Sequence, residues 1–331
     1  MQTLPSPSLV RPVKRAVFED IDAQAASLRD WNQRYEQLSA GRFRGELRQL
    51  AFDGVGLFIE DLHQSVHQTG CVRADALAFG VPIFFDGDVR FSGQKGTGNE
   101  LHVFSGREGF EFQSPKRHVM LGIEVQRAVF EPLCGDAIDG GFLANTGHSQ
   151  LLRVEASALR HLRGFAMALF SEKCVPSRTV RDELLVRLVA ALSCPDGSRP
   201  LCMGRAAQLE RRARALVMKR LDDPPTVGTL CEALGVSRRT LQSCFQSTWG
   251  MGPLVWLNTM RLNAVRRRLK SAPSVTEAAT EYGFWHFGHF SHDFQALFGV
   301  RPSDMLAMNN RPRSSASAAS LANNDCVKEL S

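Results

Sequence analysis

The spacing of apolar residues changes twice along the chain, and each change marks a different kind of structure. Between residues 21 and 40, Leu28, Trp31, Tyr35 and Leu38 recur every three or four positions, which predicts a helix. The period then falls to two: Val119, Leu121, Ile123 and Val125 alternate with polar or small residues through 118–126, the pattern of a strand. Leu77–Phe85 and Leu101–Phe112 are apolar runs interrupted by Gly80-Val81-Pro82, Gly106 and Gly109, and 93–98 reads as a loop. Short strands between glycine-rich turns predict a sandwich or barrel. Beyond about residue 155 the helical period returns, with Leu159, Leu162, Phe165 and Leu169 on one stripe and Leu184, Leu185, Leu188, Val189 and Leu192 on the next. Ser193–Pro200 is rich in Ser, Pro and Gly and reads as a linker.

Within 227–306 the chain repeats itself. A shift of 48 carries Val227 to Val275, Cys231 to Ala279 and Gly235 to Gly283; a shift of 49 carries Leu241 to Phe290, Phe245 to Phe294, Trp249 to Phe298, Gly250 to Gly299 and Pro253 to Pro302. Each copy reads as helix, tight turn, helix. A small residue (Cys231, Ala279) lets two helices approach, and a glycine four positions later ends the first in a left-handed turn. Apolar residues every four positions then mark the buried face of the second helix. Between the copies, Leu254, Leu257, Leu262, Val265 and Leu269 predict a connecting helix over 253–270, about 27 Å long. With its turns, that length can set two such second helices in successive major grooves, about 34 Å apart on one side of a DNA duplex.

The organisation predicted is α+β: a β-rich N-terminal domain (cupin-like or sandwich) with a helical linker, and an all-α C-terminal domain of two helix-turn-helix units. The expected boundaries are a flexible arm at 1–20, the β-rich domain at 21–155, a helical region at 156–200, the duplicated domain at 203–306, and a disordered tail at 307–331.

Charge sharpens this division. The 331 residues carry 40 Lys and Arg against 34 Asp and Glu, a net +6 with pI near 9.0. Residues 205–306 hold fourteen of those bases and eight of the acids, so the whole excess lies in the duplicated segment and the rest is neutral. With Leu241 and Phe245 facing inward, Arg239, Gln242, Ser243 and Gln246 face outward, with Ser237 and Arg238 at the helix start. Arg can read guanine and Gln adenine in the major groove. The second unit offers His286, Phe287, Gly288, His289 and His292 with no Arg or Lys. Three His at this spacing also permit a metal, but no Cys or carboxylate completes the set. Arg261, Arg266, Arg267, Arg268 and Lys270 on the connecting helix are expected to clamp phosphates or stand as solvated charges and not to read bases, Arg261 with an internal pairing as the alternative.

Other classes find less support. The N-terminus lacks an apolar signal core, no apolar run approaches a membrane span, and the eight cysteines form no C-x-x-C pair. Reduced thiols, a cytoplasmic location and no membrane partner are therefore expected. His63, His67, His102 and His118 could suggest a metal-dependent cupin-type enzyme fused to a DNA-binding domain, but the sequence has no H-x-H followed by Glu. No Cys precedes a His, as an alkyltransferase would require, and G-x-S-x-G is missing. An effector-independent DNA-binding protein is disfavoured by the long neutral front end.

The motifs L-G-V-S-R-R-T-L-Q-S-C-F (234–245), W-G-M-G-P (249–253), R-L-N-A-V-R-R-R-L (261–269) and G-F-W-H-F-G-H-F-S-H-D-F-Q-A-L-F-G-V-R-P (283–302) resemble the AraC/XylS family of bacterial transcription regulators. Gly288 departs from that pattern, in which a polar residue is usual. W-N-Q-R-Y-E-Q-L-S-A-G-R-F-R-G-E-L (31–47) and F-G-V-P (79–82) are similar to the branch that regulates ethanolamine-utilisation operons. The resemblance implies a sequence-specific regulator of a catabolic operon, an activator by type. Its front domain would sense an effector (ethanolamine, with a cobalamin as co-effector), helices 157–192 would transmit the signal or pair subunits as a homodimer, and the C-terminal domain would bind promoter DNA and recruit RNA polymerase.

Overall fold

The computed structural model describes residues 13–28, 31–134, 148–171, 175–193 and 204–310. Its strands are β1 (Lys14–Phe18), β2 (Trp31–Gln37), β3 (Gly45–Phe52), β4 (Val55–Leu62), β5 (Val66–Val72), β6 (Ala76–Phe85), β7 (Val89–Phe91), β8 (Gln94–Gly96), β9 (Glu100–Phe104), β10 (Phe110–Gln113), β11 (His118–Gln126) and β12 (Gln150–Arg153). The helices are α1 (Ile21–Ser27), α2 (Arg127–Cys134), α3 (Ala156–Ala168), α4 (Arg178–Ser193), α5 (Arg205–Met218), α6 (Val227–Leu234), α7 (Arg238–Trp249), α8 (Pro253–Arg268), α9 (Val275–Glu281), α10 (Phe287–Phe298) and α11 (Pro302–Asn310).

Strand β11 is the alternating segment, and it is buried on both sides. Leu121, Ile123 and Val125 face one layer, His118 and Met120 the other. It lies at the centre of a seven-stranded antiparallel sheet of order β1-β3-β4-β11-β6-β9-β12, which faces a five-stranded sheet of order β2-β5-β10-β7-β8. The outer face of the larger sheet is covered by α2, α3 and α4. The stripes Leu159/Leu162/Leu169 and Leu184/Leu185/Leu188 pack there, so they complete the front domain's core and are not presented to a second subunit.

Four expectations change. The helix expected over 21–40 ends at Ser27, and Trp31 and Tyr35 lie in strand β2. A spacing of four is even, so it puts two residues on one face of a strand as readily as of a helix. The arm at 1–20 is ordered from Lys14 to Phe18 as edge strand β1, paired with β3. Its side chains are mostly exposed, so no hydrophobic pattern announces it. Within 93–98, Gln94–Gly96 forms β8, paired with β7. The tail expected from 307 starts later, because α11 continues to Asn310; the rest of it and the linker after Ser193 lie outside the described residues.

The C-terminal domain has two separate apolar clusters, one per repeat. Phe245, Trp249 and Trp256 anchor the first, and Phe290, Phe294 and Phe298 the second. Helix α8 supplies both, with Trp256, Leu257 and Met260 going to the first and Leu262, Val265 and Leu269 to the second.

Candidate nucleic-acid interface

Each repeat folds as helix, turn, helix, and its glycines explain the turns. Gly235 and Gly283 take φ of 65° and 73°, while Gly250 and Gly299 both close their helices at φ 70° and ψ 7°. A side chain in this left-handed region costs about 1–2 kcal/mol, so the turn residues are the ones the duplication keeps.

In the first unit, Ser237 caps α7. Its hydroxyl accepts from the Thr240 amide at 3.1 Å, so the side chain is occupied in starting the helix. Arg238, Arg239, Gln242, Ser243 and Gln246 are exposed, as their spacing predicts. Gln246 Nε2 donates to the Gly250 carbonyl at 3.0 Å. The two arginines have no carboxylate partner among the described residues. Together with Gln242 they line a groove floored by Thr226, Val227, Gly228, Pro253 and Leu254. Three helix N-termini (α6, α7 and α8) converge on this groove, each a source of free backbone N–H groups for an anion.

The second unit has a different surface. His286 occupies the N-cap of α10 without a side-chain cap bond. His286, Phe287, Gly288, His289 and His292 are all exposed, and His292 Nδ1 lies 3.3 Å from Asp293 Oδ1. Trp285 is 71% exposed at the head of this helix and Leu254 is 67% exposed at the head of α8. Leu254 was expected in the buried pattern, and Trp285 was not anticipated. An aromatic five positions before Phe290 falls off the stripe that packs the helix, and that was its only signal. Among the described residues no three His, Cys, Asp or Glu converge as a metal set.

The residues expected to clamp phosphate are placed elsewhere. Arg261 Nε donates to the Tyr282 carbonyl at 2.7 Å, and its guanidinium stands 4.3 Å from the Phe284 ring centroid. It therefore holds the second turn from inside, and burial draws its pKa down. Arg268 bridges α8 to α9 through Glu277 (2.9 Å) and Glu281 (2.6 Å). Arg266, Arg267 and Lys270 face the front domain. Arg266 is 4% exposed and forms a two-pronged ion pair with Asp22, at 3.0 and 2.7 Å. Arg267 reaches Glu36 at 3.2 Å, and Lys270 reaches Asp20 and Asp22, both at 2.7 Å. The reason is the connecting helix itself: its apolar sides fill both repeats, so its remaining side must meet the β-domain, and fixed positive charge there needs carboxylates.

This contact is extensive. Asn263 closes the free edge of β2: Gln37 N donates to Asn263 Oδ1, and Asn263 Nδ2 donates to Gln37 O, both at 2.9 Å. Gln37 Nε2 and Gly41 N both donate to the Leu297 carbonyl in α10, at 2.8 and 3.0 Å. On the first unit, Arg214 pairs with Glu111, Arg90 donates to the Ser247 carbonyl, and the His67 ring meets Trp249 edge-on at 4.9 Å. Burial raises the Asp22 carboxyl, but Arg266 and Lys270 overcome it and hold it at about 2. For Glu36 burial acts the same way, and the His67 hydrogen bond with Arg267 and Arg34 brings it to about 2. Arg267 is drawn down to about 10 by burial, against the pull of Glu36. None of these contacts has a local sequence signal, because the partners are between 103 and 260 residues apart.

Residues 230–308 match the family model described as a helix-turn-helix domain. Over 87 residues the chain is 38% identical to a probable thc operon regulatory protein of Rhodococcus erythropolis, covering 25% of this chain and 26% of that protein. It is 36% identical over 81 residues to the XylDLEGF operon transcriptional activator 1 of Pseudomonas putida, covering 23% and 24%. The chain thus spans about a quarter of the length of these curated relatives. Among solved structures it is similar to the AraC-like transcriptional activator CuxR, with 15% identity, a TM-score of 0.41, and coverage of 75% of this chain and 94% of that one. No described helix is long and apolar enough to cross a membrane.

Proposed function

We propose that the protein is a sequence-specific DNA-binding regulator of transcription, working in the bacterial cytoplasm as the activator of a catabolic operon. The observation that carries this reading is the exposed pair Arg238 and Arg239, without a carboxylate partner among the described residues, with Gln242 at the start of α7, on a duplicated helix-turn-helix within the matched 230–308 segment. The printed names of the relatives, an operon regulatory protein and an operon transcriptional activator, support the role of activator. Promoter DNA enters along α7 and α10. RNA polymerase is recruited from the same domain, and a homodimer would double the sites read.

Control by a small molecule is supported by how the front domain holds the connecting helix. Strand β2 has two faces: Trp31, Gln33 and Tyr35 line a cavity between the two sheets, while Glu36 pairs with Arg267 on the other side. A ligand that shifts β2 changes the grip on α8 by as much as it prefers one state over the other. The similarity of 31–47 and 79–82 to ethanolamine-operon regulators makes ethanolamine, with a cobalamin beside it, the effector pair to test first.

The test is binding of the intact chain to duplexes containing its own upstream region, across a series of salt concentrations. Affinity for one segment at least 1,000-fold above bulk DNA, falling steeply with salt, is expected. Equal affinity for all sequences, or no binding, would overturn the reading.

A further inference from the structure

We propose that Trp285 and Phe287, at the head of α10, read the C5-methyl groups of thymines in the major groove, so that the second unit recognises methyls where the first meets hydrogen-bonding edges. This rests on the DNA-binding reading above and names the chemistry of its second half-site.

Trp285 is the one residue that the second turn has in excess of the first. Val236 N donates to the Cys231 carbonyl and Phe284 N to the Ala279 carbonyl, both at 3.0 Å, a match at an offset of 48. Ser237 and His286 head the two second helices, their carbonyls accepting from the Leu241 and Phe290 amides at 3.0 Å, a match at an offset of 49. Nothing separates Val236 from Ser237, whereas Trp285 separates Phe284 from His286. Phe284 stays packed in the second cluster, so the added residue is turned outward, 71% exposed.

The surface around it is apolar and bare. Phe287 is 41% exposed, and no Lys or Arg occurs between Phe284 and Val300. The fold does not demand a glycine at Gly288: its φ lies outside the left-handed region, and a carbon added there would meet nothing within 4 Å. Glycine weakens a helix at such a position, and what it leaves is open backbone beside Phe287, against which a base pair can close. Large apolar side chains held in water are unfavourable until a partner covers them.

The place of these residues in the repeat identifies the partner. In a helix-turn-helix the first residues of the second helix meet base edges in the major groove, and at the offset of 49 Phe287 stands where the first unit has Arg238. Of the groups displayed in that groove, the thymine C5-methyl is the apolar one, and Phe is among the side chains that meet it. Withdrawing one methyl from water is worth about 4-fold in affinity, less than a two-pronged Arg–guanine contact. A half-site read through methyls is therefore a weakly specified one.

The experiment is fluorescence anisotropy of the intact chain on the tightest-bound duplex from its own upstream region, with each thymine of the second half-site changed in turn to deoxyuridine. Uracil lacks the methyl and keeps every hydrogen-bonding group. At one or two positions it should weaken binding about 4-fold each, and 5-methylcytosine placed there should bind about 3-fold more tightly than cytosine. Trp285→Ala with Phe287→Ala should weaken the thymine duplex by the same total and make thymine and uracil equivalent. A second half-site without thymine, uracil bound as tightly as thymine at every position, or a folded double variant that still distinguishes the two bases would each overturn the proposal. So would a double variant that binds DNA like the wild type and fails only in transcription with RNA polymerase, which would give this face to the polymerase. The wild-type series decides the matter if the variant does not fold. A preferred duplex indifferent to uracil removes this inference alone; if no duplex is preferred over bulk DNA, the regulator reading falls and this inference with it.

Discussion

The two helix-turn-helix units share a skeleton and almost nothing of their surface. Gly250 and Gly299 close α7 and α10 at the same backbone angles, and three aromatic or apolar residues at four-residue spacing fill each core. Outside that frame the units part. The first starts on a bonded Ser237 cap and presents Arg238, Arg239 and Gln242; the second starts on His286 without a cap bond and presents aromatics and imidazoles. They also meet the front domain differently. At the first, the contact is a flank of charges and rings on α5 and the end of α7; at the second, the backbone of Leu297 is held by Gln37 and Gly41. The lesson is that duplication constrains what shapes a turn and frees what faces outward. The first copy presents the surface proposed above to read bases, and the second is held through the Leu297 carbonyl by Gln37 and Gly41.

The largest effect expected is on that grip. Arg266→Ala removes a buried guanidinium with both of its bonds to Asp22, leaving that carboxylate to Lys270 alone, and should cost about 3 kcal/mol. By hydrogen exchange, protection should fall in α10 and at Gln37 while α7 keeps its own; equal loss in both units would break the comparison. Next is the reading surface. Arg238→Ala with Arg239→Ala should weaken specific DNA binding about 100-fold, whereas His286, His289 and His292 changed together to Ala should weaken it less than 5-fold. Fluorescence anisotropy with one labelled promoter duplex compares them, and a larger loss from the histidines would reverse the assignment.

Acid should loosen the grip over a defined window. Asp22 and Glu36 have folded-state values of about 2, below their ordinary range, so their contribution is complete above about pH 4.5 and lost as pH falls toward 2. Thermal melts across pH 5 to 2 should show that decline, and Asp22→Asn should flatten it. The smallest effects separate the turns. Gly235→Ala should cost about 1 kcal/mol from the left-handed backbone alone, because nothing lies within 4 Å of the added carbon. Gly283→Ala should cost more, since that carbon would stand 2.7 Å from Arg261 Nη2 and push it off Phe284. Urea melts of the two variants measure the gap.

Much of this was legible in the chain. The offsets of 48 and 49 located both turns, all four closing glycines and the inward stripes, because these depend on neighbours a few residues away. Strand β11 was legible for the same reason. Trp31 and Tyr35 were misassigned because a spacing of four serves a helix and one face of a strand alike. Arg266, Arg267 and Lys270 were misplaced because charge on a helix looks the same whether it meets phosphate or a carboxylate 230 residues away.

Whether the first unit reads DNA closely and the second loosely is decided by selecting duplexes from a random pool with the intact chain and sequencing what it keeps. One strongly specified half-site is expected and, about 10 base pairs away, a second with weak base preference. Two equally specified half-sites, or a strong site that disappears on altering His289 but survives loss of Arg238 and Arg239, would contradict it.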